Sequence, residues 1–147
     1  MQPAPETGHA GLWNAARGVV LIPAQGGAMT GAKIHAGGCH CGRVRYEAAT
    51  DPAQAIACNC SICAKHGLWL TFVKSADFKM VCGLESVATY EFNKHVIQHV
   101  FCRHCGVESF ARGKDKSGKD TFAINVRCLD GIDVAKLKPK PFDGRSL

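Results

Sequence analysis

Seven of the nine cysteines in this 147-residue chain fall in three tight groups. Cys39 and Cys41 are separated by one residue, Cys102 and Cys105 by two, and Cys58, Cys60 and Cys63 share the six-residue run CNCSIC. Three thiols this close are too dense for independent core positions and too tightly spaced for a disulfide framework. Thiolates at such spacing converge on a soft tetrahedral ion such as zinc, about 2.3 Å from each sulfur. Four thiolates make a closed, structural shell, whereas three leave a position open for chemistry.

The residues that follow the cysteines indicate how the seven divide. Cys41 precedes Gly42 and Cys105 precedes Gly106, and a glycine there permits a tight turn that aims backbone N–H groups at sulfur. Cys63 precedes Ala64. The two Gly-flanked pairs are therefore expected to join across the fold as one closed four-thiolate site, leaving the triple with three ligands. Its fourth position is either open or filled by Cys82, Cys128 or a histidine such as His40, His66 or His99. Cys82 shares strand parity with Phe78 and Met80, and Cys128 with Ile124 and Val126, so both are expected to face the core as small hydrophobes. His40 and His104 lie inside the pairs and are expected to point away from the metal.

The elements that must position these thiols are mainly β. RVRYEA, LWLTFV, FKMVC, VATYEF, VIQHVF and TFAINVRC are short runs rich in β-branched and aromatic residues, separated by Gly, Pro, Asp, Asn or Lys. No stretch of helical length keeps a 3.6-residue period. SICAKHG is expected to form one helical turn ending at Gly67. Residues 1–28 mix Pro, Gly, Ala and Gln without periodicity and are expected to form an accessory arm, residues 29–132 the folded domain, and residues 133–147 an extended, surface-lying tail. The length suits a single core. No secretory leader is recognised, because GVVLIPA is shorter than the usual apolar segment and lacks a strongly basic start. The clustered thiols are expected to bind metal in a reduced, cytoplasmic protein.

At this point the residues resemble a family, the glutathione-dependent formaldehyde-activating enzymes and their relatives grouped with centromere protein V. The resemblance is carried by GGCHCGRVRYE (37–47), CNCSICAKHG (58–67), TYEF (89–92), HVFCRHCGVESF (99–110) and NVRCLDG (125–131). CNCSIC, with Asn59 and Ala64 where the formaldehyde-activating enzymes usually carry His and a basic residue, and NVRCLDG look more like the centromere-protein-V branch. The resemblance implies a β-tent of small antiparallel sheets with zinc sites at their junction and two zinc ions per chain. It also implies that Cys39, Cys41, Cys102 and Cys105 hold a structural zinc, while Cys58, Cys60 and Cys63 hold a catalytic one. The activity implied is that of a carbon–sulfur lyase, joining glutathione and formaldehyde as S-hydroxymethylglutathione.

A three-thiolate zinc carries a net charge near −1, which blunts its Lewis acidity, so water activation suits it less than binding a small thiol such as glutathione. Asn59, Ser61, Lys65 and Arg127 are candidates for contacting a peptide-like anionic substrate. The rival reading is a non-enzymatic, zinc-stabilised interaction module, which the net charge of +6 and Lys136, Lys138 and Lys140 permit. Aromatic residues make up only 7% of the chain and do not interleave with the basic ones, which argues against a single-strand nucleic-acid platform. No run is long and apolar enough to span a membrane.

Overall fold

The computed structural model describes residues 32–147. The expected accessory arm, 1–28, and the first residues of the expected domain, 29–31, lie outside them. The described residues are mainly β. Strands β1 (Lys33–Gly38), β2 (Arg45–Thr50) and β5 (Phe78–Cys82) form a three-stranded antiparallel sheet in the order β1-β2-β5. A seven-stranded sheet is built from β3 (Ile56–Cys58), β4 (Trp69–Lys74), β6 (Val87–Tyr90), β7 (Gln98–Cys102), β8 (Glu108–Lys114), β9 (Asp120–Asn125) and β10 (Lys140–Phe142). Its order is β10-β3-β4-β9-β8-β7-β6, and only the β10–β3 pair is parallel. Helix α1 (Ser61–His66) connects β3 to β4 and ends at Gly67, whose φ of 63° is the left-handed conformation expected of it.

Period-two patterning explains the small sheet. In β2, Tyr46, Ala48 and Thr50 are buried, and Arg45, Glu47 and Ala49 alternate with them on the other face. The buried side packs on the large sheet through an aromatic cluster. Phe78 stacks on Phe122 at 4.1 Å between ring centres, and Tyr46 meets Phe110 edge-on at 5.6 Å. The Tyr46 hydroxyl donates to the Ser109 carbonyl at 3.2 Å, and Thr50 and Thr71 join their hydroxyls across the sheets at 2.8 Å. Replacing Phe110, which is 1% exposed, by Ala would cost about 3–5 kcal/mol in lost burial and cavity formation.

The large sheet is covered on both faces. Phe110, Phe122 and Ile124 point to the small sheet, whereas Ala111 and Ala123 point to a second cluster containing Ile56, Ile62, Leu68 and Leu70. This is why β8 reads as ESFARGK, without alternation, and gives no strand signal of the usual kind.

Three expectations about the chain are corrected. Cys82 is exposed, because an irregularity opposite Arg45 and Tyr46 pairs Arg45 with Cys82 and Tyr46 with Met80, which breaks the parity that would have turned the thiol inward. Strand β9 stops at Asn125, whose side chain accepts from the Arg127 amide and turns Val126–Cys128 into a 3-10 segment, so Cys128 does not continue a strand face. The tail is not merely surface-lying: β10 forms an edge strand of the large sheet, in register Lys140–Ile56, Pro141–Ala57 and Phe142–Cys58.

Candidate metal centres

The two Gly-flanked pairs occupy matching turns in different sheets. One turn links β1 to β2 and the other links β7 to β8. In each, the amide of the first cysteine donates to a carbonyl five residues on, Cys39 to Val44 and Cys102 to Val107, both at 3.0 Å. A second bond closes each turn, from Gly42 to the Cys39 carbonyl at 3.3 Å and from Gly106 to the Cys102 carbonyl at 2.8 Å. Gly42 and Gly106 have φ values of 78° and 77°, the left-handed region that a side chain disfavours. Packing of the two sheets then brings the turns together.

Cys39, Cys41, Cys102 and Cys105 place their sulfurs within 4.8 Å of one another. The Cys39–Cys41 and Cys41–Cys102 sulfurs are 3.6 and 3.7 Å apart. A regular tetrahedron with zinc–sulfur bonds of about 2.3 Å has edges of about 3.8 Å, so the donor set and its spacing fit zinc. The Val44 amide donates to Cys39 Sγ at 3.3 Å, as backbone amides do around metal thiolates. Burial raises the Cys105 thiol, but the amides of Val107 and Cys41 and the thiols of Cys102 and Cys41 outweigh it and hold the group down at about 6. The Arg43 amide lowers Cys41, yet burial and the three neighbouring thiols push it up to about 11. The thiols of this set thus differ in how readily they ionise, and a bound cation would favour the thiolate form of all four.

The triple is built differently. Cys58 ends β3, Cys60 caps the N-terminus of α1 and Cys63 lies within the helix, so a single strand–helix turn supplies all three thiols. Their sulfurs also lie within 4.8 Å of one another. Burial raises Cys58 and Cys63, whereas the amides of Cys63 and Ile62 and the other two thiols lower Cys60 against its own burial. The Cys60 amide donates to Cys58 Sγ at 3.4 Å. Among the described residues no fourth His, Cys, Asp or Glu joins this group. Cys128 Sγ instead donates to the Glu108 carbonyl at 3.8 Å, and burial pushes its thiol up to about 11. His66 and His99 both turn to the Glu108 carboxylate.

The tail covers one side of the triple. The Asn59 amide donates to the Phe142 carbonyl at 3.1 Å, its side-chain NH2 donates to Asp143 at 2.8 Å, and its side-chain oxygen accepts from the Arg145 amide at 2.9 Å. Gly144 comes so close that a Cβ there would collide with Cys58 Sγ. Asn59 is thus a tether for the tail. Arg127 lies over the Trp69 ring at 4.0 Å and donates to the Gly67 carbonyl at 3.1 Å, which fixes the end of α1. Ser61 and Lys65 line a groove with His66, His99 and Glu108. Sequence reasoning missed Glu108, although Glu108 and His99 stand symmetrically three positions outside the Cys102–Cys105 turn.

Two packed sheets, a four-thiol group at their junction and a three-thiol group on a strand–helix turn define a mainly β protein equipped to hold two metal ions. Residues 34–142 match the model of the family described as glutathione-dependent formaldehyde-activating enzyme, and the chain belongs to that family. It is also similar to a crystal structure of a Rhodobacter sphaeroides protein, a structural-genomics target, with 30% sequence identity and a TM-score of 0.63. That similarity covers 72% of this chain and 97% of the other. Among the described residues, no helix is long and apolar enough to cross a membrane.

Proposed function

We propose that this chain is a zinc-dependent carbon–sulfur lyase-type enzyme that interconverts a thiol and an aldehyde with their hemithioacetal, glutathione and formaldehyde giving S-hydroxymethylglutathione. The observation that carries this reading is the three-membered thiol group beside a complete four-membered one. Cys39, Cys41, Cys102 and Cys105 hold a structural ion, and Cys58, Cys60 and Cys63 hold the catalytic one. Zinc bound by three thiolates supplies a soft open position that favours the thiolate form of an incoming thiol. The chain's own share is to keep Cys58, Cys60 and Cys63 converged through the β3–α1 turn and the Asn59 tether. In the forward direction a carbon–sulfur bond forms, the carbonyl becomes a hydroxyl, and the thiol proton ends on oxygen. The reverse step breaks the same bond and restores thiol and aldehyde.

The test is an exchange measurement by NMR with labelled formaldehyde and glutathione, in a sample whose zinc has been counted. Exchange above the uncatalysed rate, lost in Cys60→Ala, is expected. An uncatalysed rate with two zinc ions bound per chain would exclude this reaction.

A further inference from the structure

On the side of α1 away from the triple lies a groove of about 530 Å³, within the size range of small-molecule sites. At 3.6 residues per turn, positions 61, 62, 65 and 66 occupy one face of the helix and positions 60 and 63 the other. The groove takes the first set, with Tyr90, Phe92 and Phe101 as aromatic walls. Tyr90 stacks on Phe92 at 5.8 Å and Phe92 on His99 at 5.6 Å, so one wall is a run of three stacked rings inclined by 17° and 26° to one another.

The groove also contains a buried polar chain. The Glu108 side chain is 4% exposed and accepts from His99 Nδ1 at 2.8 Å and from His66 Nδ1 at 2.5 Å. A carboxylate facing Nδ1 fixes the proton there and leaves Nε2 of each ring for another partner. On the half-exposed His66 that nitrogen is within reach of solvent. On His99, which is 5% exposed, Nε2 is buried without a hydrogen-bond partner. An orphaned ring nitrogen beside an aromatic wall is unfavourable unless something fills the place. A hydroxyl is the fitting group, because it both donates and accepts and so satisfies Nε2 in either protonation state.

We propose that this groove is a second binding site, distinct from the three-thiol centre, for a small organic molecule with a planar apolar body and a hydroxyl group, the body lying along Tyr90 and Phe92 and the hydroxyl pairing with His99 Nε2. Nothing in this inference depends on the proposed reaction.

Benzyl alcohol and toluene are matched probes, identical in ring and differing in the hydroxyl. Titration of the metal-loaded protein, followed by amide and imidazole nitrogen NMR, should show benzyl alcohol shifting Lys65, Tyr90, Phe92 and His99 Nε2 and binding about fivefold to tenfold more tightly than toluene. His99→Phe keeps an aromatic ring and removes Nε2, so the two probes should then bind within about twofold of each other. Equal binding of both probes by the wild-type protein, or undiminished discrimination by His99→Phe, overturns the proposal. So does the absence of any shift in the groove at the solubility limit of the probes, which would mean that water alone fills it. If His99→Phe fails to fold, the wild-type Nε2 resonance decides: a shift with benzyl alcohol and none with toluene sustains the hydroxyl contact, and its absence ends it. Tyr90→Ala, at a residue 52% exposed, should weaken both probes without altering their ratio.

Discussion

The two cysteine groups use the same donor atom and differ in what they join. In the four-thiol group Cys41 and Cys102 are 61 positions apart and belong to turns of different sheets. In the three-thiol group all donors come from one strand–helix turn of six residues, CNCSIC. Closing a long loop restrains far more of the unfolded chain than closing a short one, and it does so where two sheets must meet. The first group is thus coupled to the fold, whereas the second has little chain to restrain and is free to keep an open position. On the proposed reading, identical ligand chemistry serves stability in one group and reactivity in the other, and the topology around each is the ground for that assignment.

Cys102→Ser is the largest perturbation of that contrast. Cys102 is 1% exposed and packs in the main core as well as facing the other three sulfurs. Structural zinc sites contribute about 10–16 kcal/mol of apparent folding free energy in small domains, comparable to or above the whole stability of a typical domain, about 5–15 kcal/mol. The variant should lose its cooperative thermal transition. A folded Cys102→Ser protein with an unchanged melt would show that the sheets meet without the metal and would remove the distinction.

Cys60→Ala should act on the other side. Cys60 is half-buried at the edge of the second cluster, so the cost in stability should stay near 1–2 kcal/mol, a shift in melting temperature of roughly 5–15 °C. Loss of even an outer-shell partner costs about 10–100-fold in metal affinity, so removing a ligand should weaken the second site by more than about 100-fold. Zinc per chain should fall from two to one, with thiol-dependent exchange lost. Retention of both metals, or unfolding as complete as that of Cys102→Ser, would make the two groups equivalent.

Much of this contrast is legible in the sequence because the thiols of each turn are local. CNCSIC and the two Gly-flanked pairs announce their chemistry within a few residues, the run around Tyr46 follows period two, and the runs around Phe72, Val100 and Ile124 show themselves by their β-branched and aromatic content. Strand β8 is hidden because both its faces are buried, and β3 and β10 because three residues carry no pattern. The His66–Glu108–His99 chain is hidden for a different reason. His66 and Glu108 are 42 positions apart and meet only once α1 is laid against the β7–β8 pair. The outward position of Cys82 depends on a register irregularity that parity cannot foresee.

Gly144→Ala sharpens the comparison from the tail. The added methyl collides with Cys58 Sγ, and residues 143–147 are mostly exposed, so the tail can give way more easily than the strand. The melting temperature should move by less than about 4 °C, within the usual range for a surface change. Affinity at the second site should fall by roughly tenfold, the lower end of outer-shell losses, while the four-thiol site is untouched. Competition with a chelator separates the two ions. Unchanged affinity would show that the tail is only an edge strand and has no part in shaping the three-thiol centre.

The smallest expected effect separates metal loss from ordinary ion pairing as the cause of acid sensitivity. Protonation of thiolates releases metal, so acid should unfold the protein through the four-thiol group. Asp120 is a second acid-sensitive point, distant from both groups in the β8–β9 pair. Burial raises its carboxyl, but the hydrogen bond and charge of Arg112, with Lys114 behind it, outweigh burial and hold it below the ordinary carboxylate value. Arg112 donates to Asp120 at 2.6 Å, with side chains 11% and 28% exposed. A folded-state pKa below the unfolded one contributes stability that is complete above about pH 4 and disappears as pH falls through the lowered value. The partial exposure limits that contribution to about 1 kcal/mol or less. Asp120→Asn should therefore lower the melting temperature by a few degrees at pH 7 and match the wild-type protein near pH 2. Zinc release should track unfolding in both proteins at the same pH. If Asp120→Asn instead moved the pH of zinc release, the hairpin and the four-thiol junction would unfold as one unit, and the stabilising role assigned to the thiols alone would have to be shared with the β8–β9 pair.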